Sequence, residues 1–284
     1  MSGTSSVQRL TDRSSGLSVP VLMYHSVSRE SSDRFRAYAV DPDIFTDHMS
    51  ALSEAGYQPM SVEAYVRLMD EPLSHWPSRP LVLTFDDAFL DFHTTALPVL
   101  QAHRFPATLY VPTAYVGGTS RWLTRENEAD RPVMSWQALR EAAGAGVEIG
   151  NHSQTHPQLD LLSASGATRE ITDSRTVLED QLQHPVSSFA YPFGYWNRSV
   201  RAAVVDAGYV SACAVRDLTS STVDDRHALS RWTVPFGMGA SALLETLESR
   251  PGRVAELRSN ARARASRLLR RAGVKKRGQS PTTG

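Results

Sequence analysis

The sequence predicts an α/β protein whose parallel strands roll into a closed or nearly closed barrel. Three observations predict it. Short apolar runs alternate strictly with segments of helical period. The first strand-to-helix turn, at His25, Ser26, Val27, Ser28 and Arg29, has no glycine fingerprint for a dinucleotide, which speaks against the alternative of a flat doubly wound sheet. Finally, His25, Asp86, Asp87, His152 and Tyr191 fall at the C-terminal ends of four runs, and that rim carries the active site in α/β barrels.

A chain of 284 residues with 41% hydrophobic content can bury one large core or two small ones. Residues 1–18 are rich in Ser, Thr and Gly and aperiodic, the composition of a disordered leader. Pro20 then opens the fold. Strands are expected at residues 21–25, 81–86, 107–112, 147–151, 187–192, 210–215 and 231–235. Helices are expected at 44–55, 62–69, 94–102, 136–143, 167–182 and 198–207, with Gly56, Gly144 and Gly208 placed as C-terminal caps. One barrel domain therefore covers 19–250.

The net charge of zero hides an asymmetry. Residues 251–284 hold ten Lys/Arg against the single acid Glu256, a net +9, so the first 250 residues carry −9. Within that tail Val254, Leu257, Ala261, Ala265, Leu268 and Ala272 recur at helical steps between arginines. This is the pattern of a basic helix with a thin apolar stripe, suited to an anionic membrane surface, although a solvated tail is the ordinary reading. Nucleic acid is not an expected partner, because no aromatic residue interleaves the arginines. The first twenty residues lack a secretory apolar region, and no segment approaches about 18 consecutive apolar residues. The expectation is a cytoplasmic protein, peripheral at the inner membrane face if the tail binds there. The lone Cys213 excludes an intramolecular disulfide and a Cys-rich zinc site.

The chemistry lies in two short segments. Leu81, Val82, Leu83, Thr84 and Phe85 run into adjacent carboxylates, Asp86 and Asp87; Val147 to Asn151 runs into His152 and His156. One carboxylate and two imidazoles, from Asp87, His152 and His156, form a ligand set for a catalytic divalent metal with a position left open for water. Zinc suits it best, with cobalt, nickel or iron also accommodated. Asp86 is then the general base, and the implied reaction is metal-assisted hydrolysis of an amide or ester. Neighbouring strand residues point to opposite faces, so the strand must end near Asp86 for both carboxylates to reach the mouth. Pro157 disfavours a helix at His156, which predicts a loop rather than a helical ligand pair. Taken singly, turn caps and surface histidines explain each motif; their joint placement at strand ends favours the site.

These residues resemble the motifs of the polysaccharide deacetylase family, metal-dependent esterases that remove N-acetyl groups from amino sugars. Thr84, Phe85, Asp86 and Asp87 are similar to its first motif, and His152, Ser153, Gln154, Thr155 and His156 to its second. Ala190, Tyr191, Pro192, Phe193 and Gly194 are a variant of its third, and the opening from Pro20 to Val27 is similar to the branch of poly-N-acetylglucosamine deacetylases. The resemblance covers roughly residues 19 to 236. It implies a distorted (β/α)₇ barrel with Asp86 as base, Asp87, His152 and His156 as metal ligands, and the Phe193 backbone N–H helping to hold the oxyanion.

Three departures matter. Ala88 stands where the family has glycine, so a positive φ there would be strained. Ala190 replaces the arginine that orients the catalytic aspartate, and Arg231 replaces the histidine of the last motif. His25 is therefore the candidate acid for the leaving amine, with Arg231 the candidate for the missing cation. Tyr191, Phe193, Tyr195 and Trp196 could line a sugar groove, although core packing is expected for at least two of them. The sequence thus predicts removal of an N-acetyl group from a glycan, glycolipid or glycosylated small molecule. A weakened carbohydrate-binding protein on the same fold and a deformylase acting on another C–N bond are the alternatives.

Overall fold

Strands buried on both faces read as continuous apolar runs, and each of the seven runs forms a strand in the computed structural model, which describes residues 17–215, 220–221 and 224–249. They are β1 (Val21–Tyr24), β2 (Pro80–Phe85), β3 (Thr108–Val111), β4 (Glu148–Asn151), β5 (Ser188–Ala190), β6 (Ser211–Cys213) and β7 (Trp232–Thr233). All pair in parallel, in the order β7-β1-β2-β3-β4-β5-β6. A bridge between Cys213 and Leu229 brings the chain entering β7 alongside β6, so the two ends of that order meet. The result is a parallel sheet curled into the expected distorted barrel.

Helices fill the crossovers: α1 (Pro42–Glu54), α2 (Val62–Leu68), α3 (Leu97–His103), α4 (Trp136–Gly144), α5 (Ala164–Leu182), α6 (Arg198–Asp206) and α7 (Ala240–Glu248). Asp41, Ser61, Ser135, Ser163 and Asn197 each cap a helix N-terminus through the side chain. Ahead of α3 lies a wide turn, Phe92–Ala96, in which the Leu97 N–H reaches back to the Phe92 carbonyl. Pro98 has no N–H to bond the Thr94 carbonyl, and a widened turn relieves that clash.

The sequence reading needs four corrections. Leu17 is buried and Ser18 pairs with Ser221, so these two residues, expected in the leader, belong to the fold; the rest of the expected leader, residues 1–16, lies outside the described residues. Gly144 ends α4 in helical form, and Gly146, at φ 92°, makes the left-handed turn. A short strand, Gln58–Met60, pairs with the start of β2; it holds Pro59 and no β-branched residue, so no strand pattern marks it. The helix α7 also carries no side-chain cap to announce it. Its Glu248 carboxylate meets the Arg79 guanidinium at 3.0 Å, just ahead of β2, so the described chain ends on the face where the strands begin. The basic tail, 251–284, lies outside the described residues. No helix among those described is long and apolar enough to cross a membrane.

Two apolar layers follow from strand alternation. Leu22, Tyr24, Leu83, Phe85, Leu109, Val111 and Phe189 pack against the helices. Val21, Val82, Tyr110, Ala190 and Cys213 fill the barrel interior. Gly150 belongs to that interior as well, because a Cβ there would overlap the Tyr110 ring.

Candidate active site

Alternation delivers the reactive groups. Counting by twos from the inward residues Val21, Val82 and Gly150 puts His25, Asp86 and His152 on the inner face, just beyond the last residue of each strand. Asp87 has the wrong parity and reaches the mouth by leaving the strand, since β2 stops at Phe85 and Asp87 takes φ 76°. Ala88 follows at φ 49°, the strained conformation that the missing glycine implies, with its carbonyl accepting from Met134 N–H at 2.9 Å. Ser153 (67°), His156 (55°) and Phe193 (59°) are left-handed too. Such residues cost about 1–3 kcal/mol each and gather at functional sites.

Single donor atoms of Asp87, His152 and His156 lie within 4.8 Å of one another, and all three residues are buried. The Asp87 Oδ1 atom faces His156 Nε2 at 3.3 Å and His152 Nε2 at 3.8 Å, yet makes no hydrogen bond. Buried acceptors facing one another in this way are satisfied by a cation, so the donor set fits a divalent metal. His152 is fixed by its other nitrogen, Nδ1, 2.8 Å from the Ala190 carbonyl. That bond leaves Nε2 with its lone pair toward the cluster. Burial lowers the pKa of both imidazoles, His156 most strongly because His152 adds to it, which favours the neutral form that a ligand requires.

Asp86 is held by a side chain from immediately ahead of β7, one strand beyond β1. The Arg231 guanidinium, fully buried, grips it with both arms, NH1 to Oδ1 at 2.5 Å and NH2 to Oδ2 at 2.7 Å. The same guanidinium donates to Thr84 Oγ1 at 3.3 Å and lies 5.3 Å from the Tyr110 ring centroid. Arg231 therefore occupies the role that Ala190 leaves open. Burial, the largest influence, would raise the Asp86 pKa, but the charge and hydrogen bonds of Arg231, with His152, outweigh it and hold the carboxyl well below its usual range. The Asp86 Oδ2 atom sits 3.7 Å from His152 Nε2, beside the ligand cluster. His25 is close enough for the charges of Asp86 and Arg231 to act on it; its Nδ1 is buried without a partner, and burial lowers its pKa to about 4.

The family described as polysaccharide deacetylase matches residues 75–212, a stretch that holds Asp86, Asp87, His152 and His156. Residues 75–212 are a polysaccharide deacetylase domain. Among curated relatives, YxkH of Bacillus subtilis (strain 168) is 28% identical over 232 residues, 81% of this chain and 76% of that one. The poly-β-1,6-N-acetyl-D-glucosamine N-deacetylase of Escherichia coli (strain K12) is 26% identical over 171 residues, 59% of this chain but only 25% of the relative. Among solved structures, the Streptococcus pyogenes deacetylase PplD in complex with acetate superposes with TM-score 0.71 at 26% identity, over 82% of this chain and 100% of that one. The deacetylase domain places this chain among hydrolases of carbon–nitrogen bonds.

The aromatic residues divide. Tyr191 is buried, its hydroxyl donating to the His227 carbonyl at 2.9 Å and its ring packed on Phe189 and Trp196. It is a core residue of the deacetylase domain and not a groove residue, because no face of its ring meets solvent. Phe193 is 51% exposed, its ring edge-on to His156 with centroids 4.8 Å apart. Sequence reasoning missed Trp122, which stacks on Phe89 and lies 5.4 Å from the His156 ring. A tryptophan in a short, kinked 3₁₀ segment, Arg121–Glu126, carries no periodic signal.

Proposed function

We propose that this chain is a metal-dependent deacetylase that removes the N-acetyl group of an amino sugar borne on a glycan, a glycolipid or a glycosylated small molecule. The observation that carries this reading is the Asp86 carboxylate, clamped by Arg231 and set beside the converging donors of Asp87, His152 and His156. The poly-N-acetylglucosamine deacetylase among the relatives supports the amino-sugar class.

A divalent ion held by Asp87, His152 and His156, zinc by its ligand chemistry or else cobalt, nickel or iron, supplies polarisation of the acyl oxygen and activation of water. The protein does the rest. Arg231 keeps Asp86 ionised and fixes both its oxygens, so the carboxylate accepts a proton from the attacking water. The water oxygen bonds to the acyl carbon, the C–N bond breaks, and the proton passes to the departing amine. His25, neutral at pH 7, hands on a proton only as it receives one, which fits a relay between Asp86 and the amine better than a standing acid. The Phe193 N–H assists the oxyanion, and its exposed ring packs on an apolar sugar face.

Acetate release from N-acetylglucosamine oligomers, followed with and without a chelator, tests the reading. Activity is expected to vanish on chelation and to return with added zinc; turnover that survives complete metal removal contradicts it. Formate released instead would make the chain a deformylase, and metal binding without turnover on a broad amide panel would favour a binding protein. For the aromatic pair, Phe193→Ala is expected to raise KM about tenfold, equivalent to about 1.4 kcal/mol of lost contact. Tyr191→Phe should leave KM unchanged while costing about 1 kcal/mol of stability through one buried hydrogen bond. Equal KM effects in the two variants would refute that division.

A further inference from the structure

The two histidines are aimed by different means. A metal-binding imidazole ordinarily donates its second nitrogen to an acceptor that fixes the ring. His152 does so, to the Ala190 carbonyl. His156 does not: its Nδ1 is buried without a hydrogen-bond partner. The direction of its ring therefore depends on the backbone that bears it, and that backbone is a tight loop with Ser153 and His156 both left-handed.

One side chain from α5 holds this loop. The Glu170 carboxylate accepts from Gln154 N–H at 3.0 Å and Thr155 N–H at 2.8 Å through Oε2, and from the Thr155 hydroxyl at 2.6 Å through Oε1. Three donors thus converge on one side chain, two of them backbone N–H groups that share a single oxygen. Two further loop bonds are local: Ser153 N–H to Asn151 Oδ1 at 2.7 Å and His156 N–H to Ser153 Oγ at 3.1 Å. From the other side, Thr113 and Ala114 N–H groups donate to the carbonyls of Ser153 and Gln154, and the Tyr115 hydroxyl donates to the Thr155 carbonyl at 3.3 Å. Only Glu170 satisfies the N–H groups at the crest of the turn, immediately before His156.

We infer that Glu170 is a positioning residue for the metal centre, acting through the loop to aim His156 at the ion. This rests on the reading of Asp87, His152 and His156 as ligands. A carboxylate is suited to the task because two backbone donors share one of its oxygens while the hydroxyl takes the other. Glutamine can reproduce the arrangement, its carbonyl serving the two N–H groups and its amide donating to a reversed Thr155 hydroxyl. Alanine cannot.

The test is the zinc dissociation constant of the full chain, measured by competition with a chromophoric chelator for the wild type, Glu170→Ala and Glu170→Gln. The melting temperature of each metal-free protein is recorded alongside. Loss of a group that supports a ligand typically costs about 10–100-fold in metal affinity, and that weakening is expected for E170A. E170Q should stay within about threefold of the wild type, since acceptor geometry and not charge sets the effect. E170A with unchanged zinc affinity and a lowered melting temperature would overturn the inference, leaving Glu170 a merely structural residue. E170Q as weak as E170A would overturn it too, because charge would then be the cause. A wild type that binds no zinc refutes the underlying ligand assignment, a failure distinct from both.

Discussion

Arg231→Leu is expected to lower kcat by about two to four orders of magnitude at pH 7, the range that a general base contributes, with little change in KM. Asp86 is 3% exposed and Arg231 is not exposed at all, so removing the guanidinium strands a carboxylate in the barrel. Breaking such a pair costs roughly 3–5 kcal/mol, which the protein escapes by protonating the acid. Burial, already the largest influence on Asp86, then acts without the arginine that offsets it. A protonated Asp86 takes no proton from water. The sign for stability follows from linkage. In the wild type the folded pKa lies below the unfolded one, so the pair's contribution is full above the unfolded carboxyl value and is lost as pH falls through the folded value. The variant lacks this contribution, and the acid limb of its pH–rate profile moves to higher pH, so alkaline conditions partly restore turnover. Arg231→Lys, which offers a point charge without the two-armed grip, should fall between. A leucine variant within threefold of wild-type kcat, folded by circular dichroism, would remove Arg231 from the mechanism.

That arginine marks where the sequence stops being legible. The barrel strands are legible because strands covered on both sides are mostly apolar, a property of each segment alone, even where a residue such as Glu148 or Ser188 interrupts the run. Apart from the fourth, which closes at Asn151 as expected, their ends fall one or two residues early: the first is expected at 21–25 and closes at Tyr24, the fifth at 187–192 and closes at Ala190. The reactive residues were legible for the same local reason, since adjacent aspartates and histidines four apart need no knowledge of the fold. The partner of Asp86 is another matter, lying 145 residues away and immediately ahead of β7, and only the alanine at position 190 hints that a cation must come from elsewhere. The structure gives that substitution a reason. Ala190 lines the interior with Tyr110 and Cys213, the space that Arg231 overlies, so a large side chain at 190 and one at 231 would compete for it. Glu170 was invisible for the opposite cause: beside Arg169 in a long helix, it reads as a solvated face until the loop from β4 folds over it.

Asp87→Asn should separate stability from function. The amide is a poor substitute for a carboxylate ligand, so zinc affinity should fall by at least about a hundredfold and turnover by roughly a thousandfold, the several kcal/mol that a catalytic ion supplies. Metal-free stability at neutral pH should nevertheless rise. Burial, then the negative charge of Asp86, pushes the Asp87 carboxyl well above the usual range, with Arg231 opposing only in part. A folded pKa above the unfolded one means that the folded state binds the extra proton, so stability is full below the unfolded value and is lost as pH rises through the folded value. Asparagine stays neutral and escapes that loss. Each kcal/mol recovered should raise the melting temperature of the metal-free protein by about 2–4 °C, an increase that shrinks as the pH is lowered. Zinc should reverse the order of the two proteins, since it stabilises only the chain that binds it. If metal-free Asp87→Asn melts below the metal-free wild type at pH 8, Asp87 is not the destabilised ligand that this geometry describes.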